Sequence, residues 1–131
     1  MKILIIGYSS IVRRRIIPAL HHLDEIVEVD LATRRPDEVI NPLDPVIKNI
    51  HGNYKEALEQ TDAELVYISL VNSLHGHWVE AALQTGKHVV VDKPAFLSLA
   101  ETKRLVRMAD RAGLCLAEAI VIGDHPQFNL V

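Results

Sequence analysis

The sequence predicts an α/β fold: an open, mostly parallel sheet of about six strands with helices on both faces. Three observations carry this. Short apolar runs alternate with helical patterns along the whole chain, a glycine follows the first apolar run, and Asp62 to Pro94 reads as strand, polar turn, helix and second strand. The first strand is placed at 2–6, because Ile3 to Ile6 is a continuous apolar run ending at Gly7. A helix at 10–22 follows, with Pro18 inside it, so it kinks there or restarts with Pro18 in its first turn. The second strand is placed at 27–32. Pro36, Pro42 and Pro45 exclude a regular helix from the next link, which reads as an irregular loop. A strand at 46–50, a helix at 53–60 and a strand at 65–69 come next. The helix at 73–85 takes Ser73 as N-cap and Gly86 as its stop. Val89 to Val91 anchor a strand at 88–91, a helix occupies 98–112, and a last strand is placed at 114–117. Two parallel strands joined by a helix form a right-handed crossover, so Asn72, His75, Asp92 and Lys93 gather at the strands' carboxyl ends, where ligands bind in such sheets.

The 131 residues suffice for one domain without disulfide support. A hydrophobic content of 49% points to a face that something else covers. The net charge of −3, with both signs interspersed, argues against a nucleic-acid partner, which needs a basic stripe. No run approaches the ~20 apolar residues of a membrane span. Cys115, the single cysteine, sits in an apolar run and is expected to be a small buried filler, in keeping with a reducing cytoplasm.

Gly7-Tyr8-Ser9-Ser10-Ile11-Val12, between the first strand and its helix, occupies the place where dinucleotide-binding domains carry G-x-G-x-x-G. Only the first glycine is present. Ser9 is the least intrusive substitute for the second and offers a hydroxyl to a phosphate oxygen, whereas Val12 at the third pushes the helix outward. The start of the helix, with Gly7, Tyr8, Ser9, Ser10 and Ile11, is expected to hold a pyrophosphate through backbone N–H groups and the helix dipole. Arg13, Arg14 and Arg15 point about 100° apart and cannot converge on one phosphate. The second strand ends in Thr33-Arg34-Arg35, where an NAD-specific domain places an acid on the ribose hydroxyls. A hydroxyl followed by two guanidiniums suits a 2′-phosphate instead, so NADP(H) is favoured over NAD(H).

Ile68-Ser-Leu-Val-Asn-Ser-Leu-His75 followed by Ala81-Ala-Leu-Gln-Thr-Gly-Lys-His-Val-Val-Val-Asp-Lys-Pro94 resembles the amino-terminal NAD(P)-binding Rossmann domain of the glucose-fructose oxidoreductase, inositol dehydrogenase and rhizopine-catabolism (Gfo/Idh/MocA) family. That family's pattern is a strand ending near T-P-N-x-x-H, then A-x-x-x-G-K-H-V-x-x-E-K-P. Departures are Ser9 and Val12 in the glycine turn, Val71 for proline and Asp92 for glutamate. The resemblance implies an NAD(P)-dependent oxidoreductase that transfers a hydride between nicotinamide and a hydroxyl or carbonyl carbon of a sugar, inositol or related substrate. It implies that Lys93 is catalytic, reaching the substrate hydroxyl; a lysine in a closing cleft can hold a developing alkoxide or help move its proton. Asp92 then accepts from a ribose hydroxyl or orients Lys93, while Leu70, Asn72 and His75 border the nicotinamide ribose.

The resemblance also implies a dinucleotide-binding domain at 1–118 and, at 119–131, the start of a crossover into a carboxyl-terminal domain that supplies the substrate pocket and most of the contact between subunits of a homo-oligomer. The domain alone is then expected to bind coenzyme weakly and to turn nothing over. His21 and His22 close the first helix, His51 lies in a loop, and His77 and His88 have packing or solvent roles; no histidine pair has metal-ligand spacing with a third ligand, so no metal is expected. Two alternatives stand beside this reading. One is a non-catalytic nucleotide-binding sensor or partner module, which the degenerate glycine turn favours and Lys93 opposes; the other is a different ligand, such as a sugar nucleotide, at the same edge.

Overall fold

Six parallel strands in the order β3-β2-β1-β4-β5-β6 form one sheet in the computed structural model, which describes residues 1–23, 25, 27–40 and 44–119. The strands are β1 (Lys2–Ile6), β2 (Glu28–Ala32), β3 (Ile47–His51), β4 (Leu65–Ile68), β5 (His88–Asp92) and β6 (Leu116–Ala119). Each matches an expected strand to within two residues. β6 starts two residues later than expected, and His51 closes β3 instead of lying in a loop. The boundary expected at 119–131 falls on residues 120–131, outside the described residues.

The helices are α1 (Ile17–Leu20), α2 (Tyr54–Gln60), α3 (His75–Gln84) and α4 (Leu99–Ala112). A π-helical turn, Val12–Ile16, leads into α1, and the Ile17 N–H donates to the Val12 carbonyl five residues back. Val12 is fully buried against the sheet. A buried isopropyl group where the pattern has glycine thus coincides with a widened turn. Pro18 falls in the first turn of α1, where its missing N–H costs nothing. Asn53 caps α2 by accepting from Glu56 N, and Ser98 caps α4 by accepting from Glu101 N. Gly86, at φ +77, follows the end of α3 as expected. Ser73 does not cap α3: a 3-10 turn, Asn72–Leu74, absorbs it, and the cap position passes to Leu74 without a side-chain bond.

The two faces of the sheet are covered unequally. Leu4, Ile6, Val66, Ile68, Val89 and Val91 point to one face, where α2, α3 and α4 bury them with Ala57, Leu58, Val79, Ala82 and Leu105. Ile3, Ile5, Val29 and Leu31 point to the other, where the first helix adds Val12 and Ile17. Leu65 and Tyr67 of β4 pack at the margin of that cluster, and they, Val90 and Ala117 stay partly exposed. Cys115 is exposed rather than buried, because it falls on the side of the chain turned away from α4. At the amino ends of the strands, the buried carboxylate of Asp30 accepts from Asn49 Nδ2 at 2.8 Å and Thr61 Oγ1 at 2.7 Å, with Lys2 Nζ 3.4 Å away. Those bonds tie β1, β2 and β3 together and leave the carboxyl ends for a ligand. Among the described residues no helix is long and apolar enough to cross a membrane.

Candidate coenzyme site

Strand order reverses between β1 and β4, and a crevice opens there at the carboxyl ends of parallel strands. Gly7 occupies the turn at its floor. Its φ is +103, and a Cβ on it would lie 2.1 Å from the carbonyl oxygen of Ser69. Only glycine fits a backbone of that hand pressed so closely against its neighbour. The Gly7 N–H donates to Ala32 O at 2.8 Å and the Ser69 N–H to Ile6 O at 2.9 Å, so the turn is clamped between the ends of β2 and β4.

Ser9 reaches into this clamp. Its Oγ accepts from Val12 N at 3.1 Å and lies 2.5 Å from Ser69 Oγ. Ser69 donates onward to Asp92 Oδ2, and Tyr67 donates to Asp92 Oδ1. Ser9, expected to offer its hydroxyl to a phosphate oxygen, has that hydroxyl against Ser69 in this arrangement. Burial, with the Asp92 carboxylate beside it, pushes the Tyr67 phenol well above the ordinary range, which keeps it a donor.

Lys93 follows Asp92 at the rim, exposed and joined to Pro94 by a cis peptide bond. The turn is held from both ends. Asp92 is held by Tyr67 and Ser69, while His75 Nδ1 lies 2.9 Å from Pro94 O and 3.1 Å from Ala95 O. The other ring nitrogen of His75, Nε2, lies 2.9 Å from Leu70 O. His75 is 0% exposed. The residue expected to border the ribose thus has its ring enclosed among the carbonyls of Leu70, Pro94 and Ala95. Asn72 is exposed on its 3-10 turn beside exposed Val71, and Leu70 is partly buried at the end of β4.

At the β2 end, Tyr8, Arg13, Thr33, Arg34, Arg35, Glu38, Ile40 and Tyr54 line a cavity of about 410 Å³. The Arg34 guanidinium lies 5.5 Å from the centre of the Tyr54 ring and that of Arg13 lies 5.8 Å from the Tyr8 ring, both within cation–π range. Tyr8 Oη accepts from Ile40 N at 3.2 Å, which draws the irregular loop over the cavity. Thr33 Oγ1 accepts from Arg35 N at 3.3 Å, and Arg35 pairs with Glu38 at 3.5 Å. Ser10 and Ile11 stand at the start of the first helix, between this cavity and the Gly7 turn.

Sequence reasoning missed Tyr67 and Ser69 as partners of Asp92, and Arg13 and Tyr54 as cavity walls; Tyr8, expected at the pyrophosphate turn, also lines the cavity. Period-two alternation could have found the first pair: residues 67 and 69 share a strand face, and the register of β4 on β5 runs that face alongside Asp92. Nothing local announces Tyr54, which arrives from α2.

The model of an oxidoreductase family with an NAD-binding Rossmann fold, GFO_IDH_MocA, matches residues 1–120. An uncharacterized oxidoreductase, ORF334, of Rhizobium meliloti is 36% identical over 126 residues, covering 95% of this chain and 38% of its own length. The dTDP-3,4-didehydro-2,6-dideoxy-alpha-D-glucose 3-reductase of Actinomadura kijaniata is 34% identical over 128 residues, covering 97% of this chain and 38% of its own. A crystal structure of KijD10, a 3-ketoreductase from Actinomadura kijaniata in complex with NADP and TDP-benzene, superposes with a TM-score of 0.88 at 32% identity, covering 99% of this chain and 40% of that one. This chain thus spans about two-fifths of the length of these relatives. With its strand order, its glycine turn and a family match over residues 1–120, the chain belongs to the GFO_IDH_MocA oxidoreductase family and is its NAD-binding Rossmann domain.

Proposed function

We propose that the crevice holds NADP(H) in preference to NAD(H) and that Lys93 is the catalytic residue of this domain. The observation that carries the coenzyme preference is the cavity at the end of β2, where Arg13, Arg34 and Thr33 stand together and the one acid, Glu38, is paired with Arg35. A 2′-phosphate brings two negative charges to a place that offers guanidiniums and no unpaired carboxylate. The residues present fit such a coenzyme: guanidiniums and the Thr33 hydroxyl stand at the β2 end, and the first helix begins beside the Gly7 turn. The 3-ketoreductase whose fold this chain shares was crystallised with NADP, which supports the same choice.

A bound nicotinamide coenzyme supplies hydride chemistry at this edge. Arg34 and Thr33 bind and orient its adenosine end, and the Gly7–Ile11 turn holds its phosphates. Asp92 keeps a lone pair on each oxygen for a ribose hydroxyl. The Lys93 ammonium, projecting at the carboxyl end of β5, donates to the oxygen of a sugar-like substrate and stabilises it as alkoxide or carbonyl. Substrate recognition and the remaining catalytic groups belong to a further domain, as the two-fifths coverage of the relatives supports, and this domain alone binds without turning over.

Calorimetric titration with NADPH and NADH separately tests the preference. Tighter binding of NADPH is expected, and equal affinity overturns it. In a full-length protein carrying this domain, Lys93→Ala is expected to lower turnover by about two orders of magnitude or more with little change in coenzyme affinity. Unchanged turnover removes Lys93 from the chemistry.

A further inference from the structure

The four side chains Ser9, Tyr67, Ser69 and Asp92 come from three neighbouring strand ends, and their protons can be assigned. Asp92 accepts from Ser69 and from Tyr67, so the single Ser69 proton is spent on Asp92 Oδ2. Ser69 can then only accept at its contact with Ser9, 2.5 Å away, and Ser9 must be the donor there. Ser9 in turn accepts from the Val12 N–H at 3.1 Å. Every proton along the run points the same way, from the start of the first helix to the carboxylate beside Lys93.

We propose that this one-directional run, Val12 N–H to Ser9 to Ser69 to Asp92 with Tyr67 as second donor, couples the pyrophosphate turn to the Lys93 turn, and that Tyr67 and Ser69 are positioning residues acting on Lys93 through Asp92. Three features carry it. Ser69 is only 3% exposed, so water does not compete for its hydroxyl. Its carbonyl is also the atom against which Gly7 is pressed, so one residue touches both turns. His75 and Glu118 hold the far side of the Lys93–Pro94 turn, through the Pro94 and Ala95 carbonyls and the Ala95 N–H, and the Asp92 side chain sets its near side. A serine at position 9, where the dinucleotide pattern has glycine, supplies the hydroxyl that makes the run continuous. The coupling rests on the coenzyme reading above, and the ligand-free measurement below separates the two.

The test follows the Asp92 side-chain carboxyl by 13C NMR in the 131-residue chain without coenzyme, then titrates the same proteins with NADPH. The Asp92 resonance is expected to move in Tyr67→Phe, in Ser69→Ala and in Ser9→Ala, although Ser9 does not touch Asp92. Ser69→Thr, which keeps the hydroxyl, is expected to restore it. NADPH affinity is expected to fall about three- to tenfold in Ser69→Ala, with no further loss when Ser9→Ala is added, because both break one run. Should Ser69→Ala not fold, Tyr67→Phe and Ser9→Ala carry the same comparison with smaller changes. An Asp92 resonance indifferent to Ser9→Ala, or losses that multiply in the double variant, overturns the coupling. Failure of the wild-type chain to bind NADPH strikes the coenzyme reading alone, and the ligand-free resonances then decide the run by themselves.

Discussion

The two ends of the crevice are built on opposite plans. At the β1–β4–β5 end, Gly7, Ser9, Ser69, Asp92 and His75 have their polar groups committed to one another or to backbone, mostly out of solvent. At the β2 end, Arg13, Arg34 and Arg35 stand on exposed or half-exposed positions and are held by tyrosine rings and one surface ion pair. The first end is fixed before a ligand arrives, since moving any member strands a buried polar group. The second works through charge, which water and salt attenuate. A dinucleotide needs both: a rigid seat where its reactive ring must sit, and an electrostatic grip that discriminates one adenosine end from another.

The sharpest way to break this contrast is Gly7→Ala. A methyl group on a φ of +103, 2.1 Å from Ser69 O, is expected to cost about 3 kcal/mol or more of folding stability in denaturant unfolding. A loss below about 1 kcal/mol means that the seat yields and is not rigid. Next comes His75→Ala, which leaves a cavity and removes the ring packed among the Leu70, Pro94 and Ala95 carbonyls, at a cost of about 2–4 kcal/mol. The thermal midpoint is expected to fall accordingly, and a midpoint unmoved removes His75 as the clamp on the Lys93 turn.

At the other end the effects are on binding. Arg34→Asp is expected to weaken NADPH about tenfold or more relative to NADH, with little change in stability, because Arg34 is itself exposed and touches the Tyr54 ring from outside the core. Preference unchanged by calorimetry sinks the electrostatic grip. Raising salt from about 50 to about 500 mM is expected to weaken NADPH more than NADH, by a few-fold, since only the former would bring a 2′-phosphate to that cluster. Parallel losses blur the contrast. The smallest effect concerns pH. Tyr67 is held above the ordinary phenol value of 10.0, so above that pH the unfolded chain releases a proton the folded chain retains, and stability falls as pH rises. Tyr67→Phe is expected to flatten that alkaline decline, and a decline of equal slope in the variant argues that the phenol is free in the fold.

Much of this was legible in the chain, and the exceptions have physical causes. The strands at Ile3–Ile6 and Val89–Val91 declare themselves as β-branched or apolar runs that only a sheet covered on its faces can bury. Gly7, Arg34, Asp92 and Lys93 could be placed at one edge because parallel strands joined by right-handed crossovers leave no other arrangement. Cys115 was misread because an apolar stretch does not say which of its alternating positions a helix covers, and the first helix does not reach β6. Ser73 was misread because a 3-10 turn shifted the start of α3 beyond it.

The sequence alone determined the element order, the family, the carboxyl-edge location of the site and the basic character of the β2 end, since each follows from local periodicity, from one required glycine or from a contiguous motif. Only the tertiary structure decided that Ser9 bonds inward, that Tyr67 and Ser69 share Asp92, that His75 is buried as a clamp and that Tyr8, Arg13 and Tyr54 wall the cavity. Several of those facts depend on pairs far apart in the chain, such as Ser9 with Ser69 and Tyr67 with Asp92, brought within hydrogen-bond reach where neighbouring strands end side by side. A linear pattern encodes what a residue can do, whereas the partner that uses up its proton is fixed only when the strands lie side by side.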